Sequence, residues 1–107
     1  MGTMFYGSAR TPVAMPDDTL LLLKTVSSTK FRRKEGFMLS WVDSVDVGRG
    51  RSSVWMHDEC DLHFAFESPE RLPLDRERLE AMSVQAASGH GVELGDASLA
   101  AAPKPRR

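Results

Sequence analysis

The stretch from Phe37 to Phe66 constrains the fold more than any other part of the chain. Bulky apolar residues alternate with small or polar ones in three of its segments, FMLSWV, SSVWM and LHFAF. A period of two is what a strand needs when one face lies in the core and the other in solvent. The stretch therefore predicts three antiparallel strands.

The pairing of the second and third of these strands decides which side chains share a face. Pairing His57 with Asp61 gathers Met56 and its apolar neighbours on one face, whereas a shift by one residue mixes the two faces. With this register, we expect Trp55 on the opposite face, beside His57 and His63. If helices cover the apolar face, the Trp55 side of the sheet is open to a partner.

Local signals predict the other elements. Residues 3–15 predict a hairpin, and acidic residues before a run of leucines predict a helix over 18–33 that ends in basic residues. Asp75 is placed to cap a second helix over 76–88, and 92–94 is short enough for an edge strand. The order ββαβββαβ predicts an α+β two-layer sandwich, an antiparallel sheet with two helices packed on one face.

The predicted core combines the inward stripes of the helices with the apolar faces of the strands. Spacing of three and four residues selects the helical positions, and alternation selects the strand positions. The side chains expected to be mostly buried are Leu20, Leu23, Phe31, Leu39, Val54, Met56, Leu62, Phe64, Phe66, Leu79 and Met82.

Length and composition limit the possible classes of protein. The chain of 107 residues is the size of one domain, which we place at 1–95, and the small, proline-interrupted, basic segment 96–107 predicts a disordered tail. A net charge of −1 excludes a global field that would drive binding to nucleic acid or membrane. Cys60 is the only cysteine, which excludes an internal disulfide and suits a reducing compartment. We expect a cytoplasmic protein without membrane attachment.

One cluster has the residue types of a metal site. His57, Cys60 and His63 follow an H-x-x-C-x-x-H spacing, and zinc accepts these ligands. A structural zinc site usually draws on two separate ligand pairs, and the sequence has no second pair. We therefore interpret the cluster as a polar turn, and we expect neither a metal nor another cofactor.

No catalytic constellation emerges from the sequence. Ser53 and His57 lie four residues apart on one strand, roughly 13 Å at the rise of a strand, which is too far for a hydrogen bond. The glycines at 48 and 50 lie between two strands rather than between a strand and a helix, so they do not predict a phosphate loop. We assign no catalytic residue.

Basic residues cluster at the end of the first helix and in the following loop. Cations at a helix C-terminus complement its dipole, and arginines in loops aid solubility. The other interpretation is an anion-binding patch, because arginine suits phosphate and carboxylate. The residues concerned are Lys30, Arg32, Arg33, Lys34, Arg49 and Arg51.

The sequence resembles a family of small actinobacterial proteins of uncharacterised function. The resemblance covers nearly the whole chain apart from the tail, and its members are often automatically labelled ATP-dependent DNA ligase. Relatives usually have proline where this chain has Asp58, and a glycine-containing turn where it has residues 67–69. The segments that carry the resemblance are Met1-Gly2 with Tyr6-Gly7, the K-x-R-R run at 30–33, Gly36-Phe37 with Ser40-Trp41, RSSVWMH at 51–57 and LHFAF at 62–66.

If the ligase label applied to this chain, the sequence would contain the motif that ligases need for catalysis. ATP-dependent ligases attach AMP to the lysine of a K-x-D-G motif, and this motif does not occur in the chain. The nearest string is Lys34-Glu35-Gly36, one residue short and with glutamate in place of aspartate. The resemblance therefore implies no catalytic residue.

Two functions from different classes remain open. The first is a small non-catalytic binding or interaction module, acting on an unknown protein partner or as a homodimer. The second is a nucleic-acid-associated accessory protein that uses the basic loop and an open sheet face. The candidate binding residues are Trp55, His57, His63, Arg32, Arg33, Lys34, Arg49 and Arg51.

Overall fold

A computed structural model describes residues 1–43, 48 and 50–96. The predicted tail therefore lies outside the described residues except for Asp96, as does Arg49 of the basic loop. The elements are β1 (Gly2–Tyr6), β2 (Thr11–Met15), α1 (Asp17–Arg32), β3 (Phe37–Val42), β4 (Arg51–Met56), β5 (Leu62–Ala65), α2 (Arg76–Ala86) and β6 (Val92–Asp96).

The α+β class and the element order ββαβββαβ are confirmed. The strands form two sheets of three strands each, where the sequence predicted a single antiparallel sheet. The first sheet has the order β2-β1-β5 and is antiparallel. The second has the order β4-β3-β6, with β3 antiparallel to β4 and parallel to β6. Helix α1 packs against β1 and α2, and α2 packs against β6.

The predicted pairing of β4 with β5 is wrong. The Cys60 N–H donates to the His57 carbonyl and closes a turn, but β5 then leaves β4 and pairs with β1, with His63 opposite Phe5. An isolated two-stranded hairpin is marginal in water, and β5 gives the β1–β2 hairpin its third strand. The link between β4 and β5 therefore carries the chain from one sheet to the other.

The helix boundaries agree with the local signals. Helix α1 begins at Asp17, one residue before its predicted start, and ends at Arg32. The Asp75 carboxylate accepts from the Arg78 N–H at 3.2 Å, which confirms the predicted cap of α2. The left-handed residue after α1 is Lys34, with φ of 61°.

One hydrophobic core joins both sheets and both helices. Of the predicted core, Leu20, Leu23, Leu39, Met56 and Met82 are buried, and the remaining residues pack against the core half-buried. The other strands and turns of helix complete the core with side chains that we had not included: Met4, Val13, Met15, Leu22, Val26, Phe37, Trp41, Ala86 and Val92.

Tyr6 joins the two sheets. Its hydroxyl donates to the Trp55 carbonyl at 2.5 Å, although Tyr6 belongs to β1 and Trp55 to β4. Burial raises the pKa of the Tyr6 phenol, and the nearby Cys60 adds to the effect. The protonated phenol is the form that donates, so the raised pKa and the hydrogen bond agree.

The titration of Tyr6 tests this bridge, and Tyr6 is the only tyrosine in the chain. We expect absorbance at 295 nm to report half-ionisation of the folded protein above the usual value of about 10, and of the urea-unfolded chain near that value. Because the folded pKa is the higher one, the bridge's contribution of about 1 kcal/mol is complete below pH 10 and lost as pH rises through the folded pKa. A folded midpoint at or below that of the unfolded chain would contradict the bridge.

Candidate interaction surface

The outward side of the second sheet carries the most exposed aromatic side chain of the described residues. Trp55 is 51% exposed, and Met38, its partner on β3, is 38% exposed. Their neighbours Val54, Met56, Phe37 and Leu39 point to the core, as the period of two predicts. We call this outward side the Trp55 face; it consists of Met38, Ser40, Val42, Arg51, Ser53, Trp55 and Glu93.

Gly36 explains how the indole of Trp55 is seated. A Cβ at Gly36 would lie 2.6 Å from Trp55 Cζ2 and 2.8 Å from the Met56 carbonyl oxygen. No side chain fits there, so the backbone at Gly36 provides one wall for the indole while half of the side chain stays exposed. A glycine at position 36 is needed for this close approach.

The Trp55 face changes from apolar to polar along the strands. Beside the Trp55–Met38 pair, the hydroxyls of Ser40 and Ser53 are hydrogen-bonded at 2.7 Å. At the far end, Arg51 and Glu93 form an ion pair at 3.1 Å that spans β3. The face therefore offers an apolar contact at one end and a paired, neutral polar surface at the other.

Carboxylates neutralise much of the predicted basic cluster. Lys30 pairs with Glu35, and Lys34 pairs with Asp58, each at 3.1 Å. Arg51 is paired with Glu93. Arg32 and Arg33 are exposed, and among the described residues no carboxylate forms an ion pair with either.

The candidate metal ligands do not converge. The His57 Nδ1 accepts from the Glu59 N–H at 3.3 Å, and the half-buried Cys60 thiol donates to the His57 carbonyl at 3.0 Å. His63 lies on β5 in the first sheet, where its Nδ1 is 3.2 Å from a guanidinium nitrogen of Arg10. Within the part of the chain that the structure describes, no group of three or more suitable side chains is placed to hold a metal ion.

The structure therefore separates His63 from Trp55 and places it in a second cluster. Arg10 lies 4.5 Å over the ring of Phe5, and the Phe5 and His63 rings are 5.4 Å apart. Arg10 has a φ of 56°, a region that few residues other than glycine adopt. Sequence reasoning missed this cluster because it depends on the pairing of β1 with β5.

Comparison with known proteins decides the family. Residues 1–97 match the model of a family described as a domain of unknown function, DUF7882. The chain belongs to this family. Neither a curated protein nor a solved structure matches it.

The range matched by the DUF7882 model includes both sheets and both helices of this chain, and all residues of the Trp55 face lie within it. Among the residues described, neither helix of this DUF7882 domain has the length and apolar character needed to cross a membrane.

Proposed function

We propose that this DUF7882 domain is a non-catalytic interaction module that binds a protein partner through the Trp55 face. The exposure of Trp55 next to Met38 carries the proposal, because tryptophan is enriched among the residues that dominate binding energy. Contiguous exposed apolar side chains rimmed by polar ones mark contact sites. The exposed polar residues beside Trp55 and Met38 are Ser53 and the Arg51–Glu93 pair, and they supply such a rim.

The charges around the face favour a protein over a polyanion. Lys30, Lys34 and Arg51 each pair with a carboxylate, so their charge is balanced before any partner arrives. Proteins bind nucleic acid through lysine and arginine side chains that displace counterions from the phosphates. Side chains that are already paired with carboxylates contribute little to this displacement. We place the half-buried His57, two residues after Trp55, and Lys34, two residues before Gly36, at the edge that a protein partner would contact.

The test compares two exposed hydrophobic residues on different elements. Trp55→Ser removes the centre of the Trp55 face, and Val84→Ser removes a side chain on α2 that is 65% exposed. We expect Trp55→Ser to lower the capture of the specific partner from native lysate about 30-fold, the effect of a residue worth about 2 kcal/mol, whereas Val84→Ser retains capture. The proposal would be contradicted if Trp55→Ser captured the partner as well as the wild type does, or if Val84→Ser lost capture to the same extent as Trp55→Ser.

Light scattering distinguishes a second copy from a separate partner. If the partner is a second copy, the wild type is a dimer that Trp55→Ser converts to a monomer. If the partner is a different protein, the wild type and the variant are both monomers, and only the wild type captures that protein.

A second candidate function is association with nucleic acid, and the exposed Arg32 and Arg33 favour it. In sequence they are four and three residues before Gly36, against which the Trp55 indole packs, and sites for single-stranded nucleic acid combine cations with aromatic side chains. Nuclease treatment of the lysate, and a salt-dependent mobility shift with single-stranded DNA, test this function. Nucleic acid would be favoured over protein by two results together. Arg32→Gln/Arg33→Gln would abolish both the mobility shift and the capture, and nuclease treatment would abolish capture by the wild type.

The resembling actinobacterial proteins are often labelled ATP-dependent DNA ligase. We infer that this chain has no ligase activity of its own. The K-x-D-G lysine is missing from the sequence, and we propose that any link to DNA is an accessory one. A cytoplasmic location suits this role and the free thiol of Cys60. AMP transfer from ATP to the purified protein would overturn this inference.

A further inference from the structure

The connector from Glu67 to Asp75 lies beside α1. Hydrogen bonds join the first turn of α1 to the start of this connector and to α2, which follows it. The Asp17 carboxylate accepts from the backbone N–H groups of Glu67 and Ser68 at 3.1 Å. At the other end, α2 is tied to α1, because Arg78 donates to Asp18 at 2.9 Å and to Thr19 at 3.2 Å. The two acidic residues that begin α1 thus hold the connector in place.

A groove remains between this connector and α1. It has a volume of about 420 Å³, and its apolar walls are Leu21 of α1 with Phe66 and Leu72 of the connector region. A second depression of about 330 Å³ adjoins it and shares Leu21 and Leu72. Pro69, whose ring fixes φ within the connector, also lines the groove.

Two cations lie at the rim of this groove. The Lys24 Nζ is 5.8 Å from the centre of the Phe66 ring, and Arg71 lines the same groove. No ion pair joins either cation to a carboxylate among the described residues. Glu70 also lines the rim, so the three charged groups sum to one positive charge.

We propose that the groove binds a small amphiphilic monoanion, an apolar chain that ends in one carboxylate. The chain would lie on Leu21, Phe66 and Leu72, and the carboxylate would accept hydrogen bonds from Lys24 and Arg71. The volume falls in the range of small-molecule sites. Half of the residues that line the groove are apolar and half are polar or charged, which suits a ligand with an apolar chain and a charged end. This site is separate from the Trp55 face and does not depend on the proposed function.

The probes are decanoate and its neutral analogue 1-decanol, each below the concentration at which it aggregates. Backbone amide NMR of the full chain locates binding, and the test variant is Lys24→Gln/Arg71→Gln. The charge-matched control is Arg32→Gln/Arg33→Gln, which removes two exposed cations that do not line the groove and that form no ion pair among the described residues. Leu21→Trp fills the groove, and melting curves establish that each variant is folded.

We expect saturable shifts from decanoate at Leu21, Lys24, Phe66, Arg71 and Leu72. The Lys24→Gln/Arg71→Gln variant is expected to raise the Kd for decanoate at least about tenfold and to leave that for decanol unchanged, because charge-assisted hydrogen bonds are lost only with the anion. The control variant binds as the wild type, and Leu21→Trp binds neither probe.

Three results would overturn the proposal. The first is the lack of saturable shifts, and the second is a set of shifts centred on Trp55 and Met38. The third is equal affinity for decanoate in the wild type and in the Lys24→Gln/Arg71→Gln variant. Each leaves the interaction through the Trp55 face to be judged by its own experiment.

Discussion

Replacement of Trp41 by alanine is expected to lower the free energy of unfolding by about 3–5 kcal/mol, a large share of the stability of a domain of this size. Trp41 is 7% exposed and lies in the core, and its loss would leave a cavity that the neighbouring strands cannot fill. Trp55→Ala is expected to cost only about 1–2 kcal/mol, because half of that side chain is already in water.

Urea denaturation of the two variants measures this contrast between the only two tryptophans of the chain. Fluorescence from the remaining indole follows unfolding in each variant, and circular dichroism provides a signal that is independent of tryptophan. Equal destabilisation by the two changes would show that Trp55 belongs to the core. The Trp55 face would then be a structural feature and not a binding surface.

Gly91→Ala is expected to destabilise the domain by about 3 kcal/mol or more. Gly91 has a φ of 77°, and a Cβ there would lie 2.3 Å from the Met38 carbonyl oxygen and 2.8 Å from the Met38 Cβ. The left-handed backbone conformation costs about 1–2 kcal/mol for alanine, and overpacking against the backbone of β3 adds about 1–3 kcal/mol. We expect the melting temperature to fall by about 12 °C or more.

Two other glycines separate these contributions. Gly7 has a φ of 75° but open space where its Cβ would lie, so Gly7→Ala is expected to cost about 1–2 kcal/mol. Gly89 has neither constraint, and Gly89→Ala is expected to change stability by less than about 0.5 kcal/mol. If all three variants melted within a few degrees of one another, the close approach of Gly91 to Met38 would be wrong.

The sequence predicted those features that depend on neighbouring residues. The alternation in SSVWM places Trp55 on the side opposite to Met56 whichever strand pairs with β4, so Trp55 is exposed as expected although the register from which we argued it is wrong. Asp75 was recognised as a cap because a cap needs only the residues after it. The partner of β5 was missed because β1 and β4 both offer apolar strands, and local alternation does not choose between them.

The candidate site shows the same division. The basic residues are at their predicted positions in sequence, but Asp58 and Glu93, which neutralise Lys34 and Arg51, come from distant segments. The seat of the Trp55 indole on Gly36 likewise depends on the pairing of β3 with β4. Charge balance and close backbone approach are properties of the folded chain, and residue spacing alone does not encode them.

Site-specific photocrosslinking tests the central claim, that the Trp55 face contacts a protein partner, most directly. A photoreactive phenylalanine analogue would replace Trp55 in cells of the source organism, and Val84 on α2 would be replaced in the same way as the exposed control. The account predicts one discrete crosslinked protein, either a second copy or a separate partner, from position 55 and none from position 84. No product from position 55, or the same products from both positions, would contradict it.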